Sequence, residues 1–198
     1  MKNSIKVLIA IAVIGLQAMG TNAQSANATT GIYLTEQDYK SNKLSYTLKE
    51  NDKLQLNEFL NGKNINLVYQ GKKIKLVKDE IFGYRLNKLD FRIYHNEAYQ
   101  IMDTAGFMLY KRQKLTQQTK GYLPVETYFY SVNLKQPVLR LTVENLWNSF
   151  PGQTGFRYSV QNNFKQDSEL GAYDKLTSQY KIKYLYFQQK QAAAHASL

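Results

Sequence analysis

The chain has 198 residues, a formal net charge of +11 and no cysteine, with 43% hydrophobic and 13% aromatic residues. Without cysteine there is no disulfide, no thiolate chemistry and no cysteine-linked lipid anchor, so packing alone must hold the fold. The basic excess disfavours basic partners and favours acidic ones such as anionic glycans, lipid headgroups or nucleic acid, while also serving solubility.

Residues 1–23 have the pattern of an export signal. Lys2 and Lys6 form a positive start, Val7 to Leu16 an apolar core, and Thr21-Asn22-Ala23 a run of small residues before Gln24. The apolar core is too short to remain as a membrane anchor, and no later segment is apolar over a spanning length. The expectation is an exported protein, periplasmic or extracellular, whose mature part is one domain over residues 24–198. Removing Lys2 and Lys6 lowers the charge from +11 to +9.

After a small polar stretch, Gly31 to Leu34 reads as a first strand. Thr35 with Asp38 resembles a capping box and predicts a helical turn over 36–41. Leu44, Tyr46 and Leu48 alternate as a second strand, Leu54 and Leu56 suggest a third, and Asn61-Gly62 marks a turn. From Asn64 to Arg112 short alternating runs follow one another: Ile65-Leu67-Tyr69, Ile74-Leu76, Phe82-Tyr84-Leu86, Phe91-Ile93-His95, Tyr99-Ile101 and Phe107-Leu109. Gln70-Gly71, Asn87-Lys88, Asn96-Glu97 and Thr104-Ala105-Gly106 separate them. Period-two alternation between turns this short predicts an antiparallel meander of four to six strands, apolar on one face and rich in Lys, Arg and Tyr on the other.

Gln113 to Gly121 is polar and reads as a loop or a long hairpin tip. Val125 to Val132 resumes the strand pattern, Asn133 to Pro137 turns the chain, and Val138 to Leu141 is one more short strand. The period then changes. Thr142 is a good N-cap for a helix through Val143, Leu146, Trp147 and Phe150, stopped by Pro151-Gly152. Phe156, Val160 and Phe164 fit a second helix, and Ser168 can cap a third with Leu170, Tyr173 and Leu176 on one side. Residues 181–187 fit a strand through Ile182, Tyr184 and Tyr186 or a helix through Tyr180, Tyr184 and Phe187; the tail over 188–198 is expected to fray. The fold class expected is α+β: a β-rich part over 31–141 forming a meander, packed by two or three C-terminal helices from a helical part over 142–180.

The segments Gly31-Ile32-Tyr33-Leu34-Thr35, Ile81-Phe82-Gly83-Tyr84-Arg85 and Ala172-Tyr173-Asp174 resemble small exported proteins of Bacteroidota with no assigned function. The resemblance extends over most of the mature chain through short motifs. It implies an exported source and supplies no activity.

Chemistry-bearing patterns are sparse. The two histidines are His95, at a strand end, and His195, in the tail. A zinc site would need both plus carboxylates, so no metal and no cofactor is expected. A serine hydrolase would rest on His95 as base with no nucleophile-elbow motif. No glycine-rich phosphate loop and no nucleic-acid recognition motif is present. Asp90, Glu97, Asp103 and Glu126 lie on or near the meander, and two of them facing one another across a cleft would suit glycoside hydrolysis.

Basic clusters are the stronger signal. Lys72, Lys73, Lys75 and Lys78 surround one hairpin, and Lys111, Arg112, Lys114 and Lys120 surround the polar stretch after it. If those strands are adjacent they form one positive surface, with Tyr84, Tyr94 and Tyr110 among the cations. The candidate binding residues are therefore Lys73, Lys75, Tyr84, Tyr94, Tyr110, Lys111, Arg112 and Lys114, with the segment from Arg112 to Gly121 as part of the contact. The sequence-based expectation is an exported, non-catalytic binding or structural protein that meets an envelope polyanion or an acidic protein. The alternative is a polysaccharide-active hydrolase using paired carboxylates.

Overall fold

The computed structural model describes residues 29–57, 62–118 and 121–196. The export-signal reading of residues 1–23, Asn61 of the expected Asn61-Gly62 turn, and Lys120 lie outside them.

Eight strands form the main antiparallel sheet. Its centre is a run of consecutive hairpins through β6 (Gly83–Leu86), β7 (Leu89–Tyr94), β8 (Glu97–Asp103), β9 (Met108–Gln118) and β10 (Gly121–Ser131). The short strand β11 (Leu139–Arg140) closes one edge; β1 (Gly31–Tyr33) and β2 (Tyr46–Thr47) close the other. The expected α+β meander is present. Its two-residue turns carry the chemistry such turns need: Asn87-Lys88 and His95-Asn96 all have positive φ, the geometry that matches the twist of paired strands. The second of these turns sits one residue earlier than the sequence spacing implied, so His95 turns the chain instead of ending a strand.

Three expectations are corrected. The hairpin of β4 (Asn64–Tyr69) and β5 (Lys72–Val77) does not belong to the meander. It pairs with β3 (Lys53–Gln55) in a separate three-stranded sheet. A 3-10 turn over Lys78–Glu80, with the Lys78 N–H donating to Lys63 O, separates β5 from β6. The apolar side of the hairpin, Ile65 and Leu76 with Leu54 of β3, packs onto Ile32, Tyr84 and Ile93 of the main sheet. Facing that surface removes apolar area from water, which edge pairing alone would not.

Of the two readings of the polar stretch after Arg112, a loop or a long hairpin tip, the structure shows the hairpin: β9 and β10 pair in register from Met108↔Ser131 to Gln118↔Gly121. The third helix expected from Ser168 is a 3-10 turn over Asp167–Glu169 followed by a hairpin of β12 (Tyr173–Asp174) and β13 (Gln179–Tyr180). Here Asp174 Oδ1 accepts from the Leu176 N–H at 2.8 Å, a local bond that competes with helix, and Leu176 lies 96% exposed. The ambiguous segment over 181–187 is helix, and the helix continues through the expected frayed tail as α4 (Lys181–Ala196). Gln and Ala carry it, being good helix formers.

The other helices match their signals. The capping box at Thr35 is complete, with Asp38 N–H donating to Thr35 Oγ1 and Thr35 N–H to Asp38 Oδ2, starting α1 (Glu36–Lys40). Asp38 is held below the usual carboxylate range by the Thr35 and Ser45 side-chain bonds. Thr35→Ala should lower stability by about 1 kcal/mol; an unchanged urea midpoint would show that tertiary contacts alone hold α1. Thr142 caps α2 (Val143–Ser149), and α3 (Thr154–Asn163) buries Phe156 and Val160.

One face of the main sheet is thus shared by two covers. The small sheet packs over the end made of β1, β6 and β7, and helices α2 to α4 pack over Phe107, Leu109 and Tyr130. The opposite face carries a third cluster of Tyr99, Met108, Tyr110 and Val138.

Candidate functional site

The expected composite surface separates into three environments. Tyr84 and Tyr110 are not surface residues: they are 2% and 0% exposed, and they lie on opposite faces of the main sheet. Tyr84 stacks on Phe91 at 4.8 Å within the inter-sheet core. The Tyr110 hydroxyl bonds Arg92 and Ser131, and burial raises its pKa. The physical reason is that strand tyrosines in a sheet covered on both sides serve packing before they serve recognition. Tyr94 is half-buried, with the Arg92 guanidinium 5.4 Å from its ring centre and His95 edge-on at 4.2 Å.

Lys111 and Arg112 are consecutive in β9, so their side chains leave opposite faces. Each is also neutralised. Lys111 Nζ donates to Glu126 Oε1 at 2.9 Å, and Arg112 is ion-paired with Glu97 while lying 5.8 Å from the Tyr99 ring centre. Glu126 is held below its ordinary pKa by Lys111 and Gln113. Burial and the bond to Glu97 push Tyr99 up to about 12. Lys114 pairs through its backbone with Val125, and its side chain lies outside the described residues. The outer half of this hairpin, read from sequence as polar, also presents Leu115, Tyr122 and Leu123 to solvent.

Lys73 and Lys75 are exposed as anticipated, on the outer face of the three-stranded sheet. Register defines that face. Lys53 of β3, Val68 of β4 and Lys73 of β5 form one cross-strand row; Gln55, Asn66 and Lys75 form the next; Asn64 and Val77 follow. Lys53 and Lys73 flank Val68 two strand spacings apart, about 9–10 Å, and Lys73 and Lys75 are about 7 Å apart along the strand. None of these three ammonium groups has an acidic partner among the described residues, and none of these rows contains a carboxylate. The nearest acid in sequence, Asp52, is occupied by the backbone N–H groups of Lys49 and Gln70, which lower its pKa. Sequence reading missed Lys53. Its signal was the alternation of Lys53 and Gln55 with Leu54 and Leu56, opposite a hairpin already identified.

The four carboxylates considered for hydrolysis are each taken up by a cation. Asp90 binds Arg85 at 2.7 Å and accepts from the Tyr33 hydroxyl at 3.0 Å; Glu97 pairs with Arg112, Glu126 with Lys111, and Asp103 lies 3.5 Å from Lys183. Glu126 and Glu97 project from opposite faces of the sheet, together with their partners. Among the described residues no three His, Asp or Glu side chains gather as a metal site, and no helix is long and apolar enough to cross a membrane.

Comparison of the chain with models of protein families, with curated proteins and with solved structures found no match.

Proposed function

We propose that this is an exported, non-catalytic binding protein that docks on a polyanionic component of the cell envelope through the outer face of its β3-β4-β5 sheet. The observation that carries the reading is the row arrangement of Lys53, Lys73 and Lys75, three ammonium groups that have no acidic partner among the described residues, in rows that contain no carboxylate. The face spaces its lysines along and across the strands around Val68 and Asn66, which suits a repeating anion better than a small ligand. The amino-terminal pattern of Lys2, Lys6 and the apolar run from Val7 to Leu16 supports export to the periplasm or beyond, in keeping with the Bacteroidota proteins the chain resembles. Expected partners are anionic glycans or lipid headgroups.

The test is sedimentation of the mature protein, residues 24–198, with isolated envelope at low and high salt. Each lysine near an anionic surface contributes about 1 kcal/mol, so Lys53→Gln, Lys73→Gln and Lys75→Gln together should weaken binding roughly 100-fold. High salt should release the unaltered protein, because exposed charges are screened within about 8 Å at physiological ionic strength. All three side chains are exposed, so the triple variant should keep its urea midpoint. Binding that is indifferent to both salt and the triple substitution would refute this face as the contact.

A further inference from the structure

On the opposite side of the main sheet lies a cleft of about 550 Å³, within the size range of small-molecule sites. One wall is α1, through Glu36, Tyr39 and Lys40. The other is the loop after β10, through Val132, Asn133, Leu134 and Lys135; the turn between β8 and β9 and Met108 complete it. The lining is mixed: Tyr39, Phe107, Met108, Val132 and Leu134 give it an apolar part, Glu36, Lys40, Thr104, Asn133 and Lys135 a polar one, and its charges are unequal. Glu36 is already engaged by Lys40 at 2.5 Å, whereas the Lys135 ammonium has no partner among the described residues.

A second cation lies beneath the loop wall. Arg92 is 6% exposed and donates to the Tyr110 hydroxyl at 2.9 Å, to Ser131 Oγ at 3.1 Å and to Gln136 O at 3.1 Å. Its acceptors are neutral, and no carboxylate pairs with it among the described residues. Buried charges are ordinarily paired, because an uncompensated one is costly in a weakly polarisable interior. The guanidinium is therefore a buried cation without a direct ion pair among the described residues, beside the loop that forms the cleft, and the Glu36 carboxylate acts on the Tyr110 hydroxyl that it bonds. The loop also presents a donor: Asn133 Oδ1 accepts from the N–H groups of Lys135 and Gln136, which leaves its Nδ2 without a partner among the described residues.

We propose that this cleft binds a small organic anion, a carboxylate or phosphate monoester carried on an apolar or aromatic body. The anionic head meets Lys135 and the Asn133 amide, on the side of the cleft away from the Glu36–Lys40 pair. The body lies against Tyr39, Met108, Val132 and Leu134. This site is separate from the lysine face, so either assignment can fail without the other.

The experiment is calorimetric titration of the intact chain with 2-naphthoate, 2-naphthyl phosphate and the neutral 2-naphthamide. Saturable binding of either anion, at least about tenfold tighter than the amide, is expected, and the tighter anion identifies the preferred head. Lys135→Gln should reduce anion affinity about fivefold or more and leave the amide unchanged, since it removes one exposed charge and no packing. Lys175→Gln, on the distant turn between β12 and β13, should change neither. Equal affinity for the amide, anion binding unaffected by Lys135→Gln, or no saturable binding of either anion would overturn the assignment.

Discussion

Phe107→Ala should lower the unfolding free energy by about 3–5 kcal/mol, the range for truncating a buried aromatic ring. Phe107 is 1% exposed and sits where the first residue after the β8–β9 turn meets three helices. Its ring contacts Tyr130 of β10, Phe150 after α2, Phe156 of α3 and Tyr186 of α4, with centroids between 5.4 and 6.3 Å. The neighbours cannot collapse into the space easily, because each is itself locked against another ring: Phe150 against Phe156 at 5.2 Å, and Phe156 against Tyr186 at 5.3 Å. The turn gives no slack either. Gly106 holds φ +76 with the Tyr186 ring against its Cα, so the backbone there is tied to the same cluster. Phe107→Leu, which keeps much of the volume, should lose markedly less. Equilibrium urea unfolding measures both, and a loss below about 1 kcal/mol for the alanine variant would mean that the helices are not docked on Phe107 as described.

Stability should rise between pH 8 and 10, fall steeply above pH 10, and lose its rising limb in Lys183→Met. Lys183 is 1% exposed on α4 and inserts its ammonium into the β8–β9 turn. There it donates to Ala105 O at 2.8 Å and to Phe107 O, and lies 3.9 Å from the Phe107 ring centre. Burial pulls its pKa down to about 8, and the Asp103 carboxylate offsets only part of that. Below pH 8 folded and unfolded chains both hold the proton. Between pH 8 and the free value near 10.5 the unfolded chain holds more protons, so stability increases with pH. The gain is complete above 10.5 and is lost as pH falls through about 8; for a shift of this size it is of order 3 kcal/mol.

The tyrosines act in the opposite direction. Burial raises Tyr39, Tyr99 and Tyr180 to about 12, and raises Tyr33 further with the help of Asp90. Their contribution is complete below pH 10 and is lost as pH climbs through their folded values, because the unfolded chain ionises first. The maximum therefore lies near pH 10. Urea midpoints measured from pH 7 to 11 check this, and parallel curves for the two proteins would remove Lys183 as the cause.

The candidate site was half legible before folding. Lys73 and Lys75 were identified from a hairpin signal, and the hairpin formed with the expected register at Gln70-Gly71. Tyr84, Tyr110, Lys111 and Arg112 join them on one surface only if the strands are adjacent, and β5 and β9 belong to different sheets. Alternation in a strand sends Lys111 and Arg112 to opposite faces, and two-sided cover buries Tyr84 and Tyr110. The cleft between α1 and the loop after β10 had no local signal, since its walls are about a hundred residues apart in the chain.

Local rules acting alone were sufficient for much of this protein. Alternation gave the strands, turn chemistry gave the antiparallel order from Gly83 onward, and Thr35 and Thr142 placed the starts of α1 and α2 through side-chain caps that need only neighbouring backbone. Tertiary structure decided which strands share a sheet, what Leu170 to Tyr180 becomes, and whether each charge is free or paired. Those outcomes depend on which apolar faces meet, as Ile65 meets Ile32, and on partners distant in sequence, as Lys183 reaches Ala105 and Arg92 reaches Gln136. Burial and pairing are properties of assembled surfaces, and a periodic pattern specifies only that a face is apolar, not what will cover it.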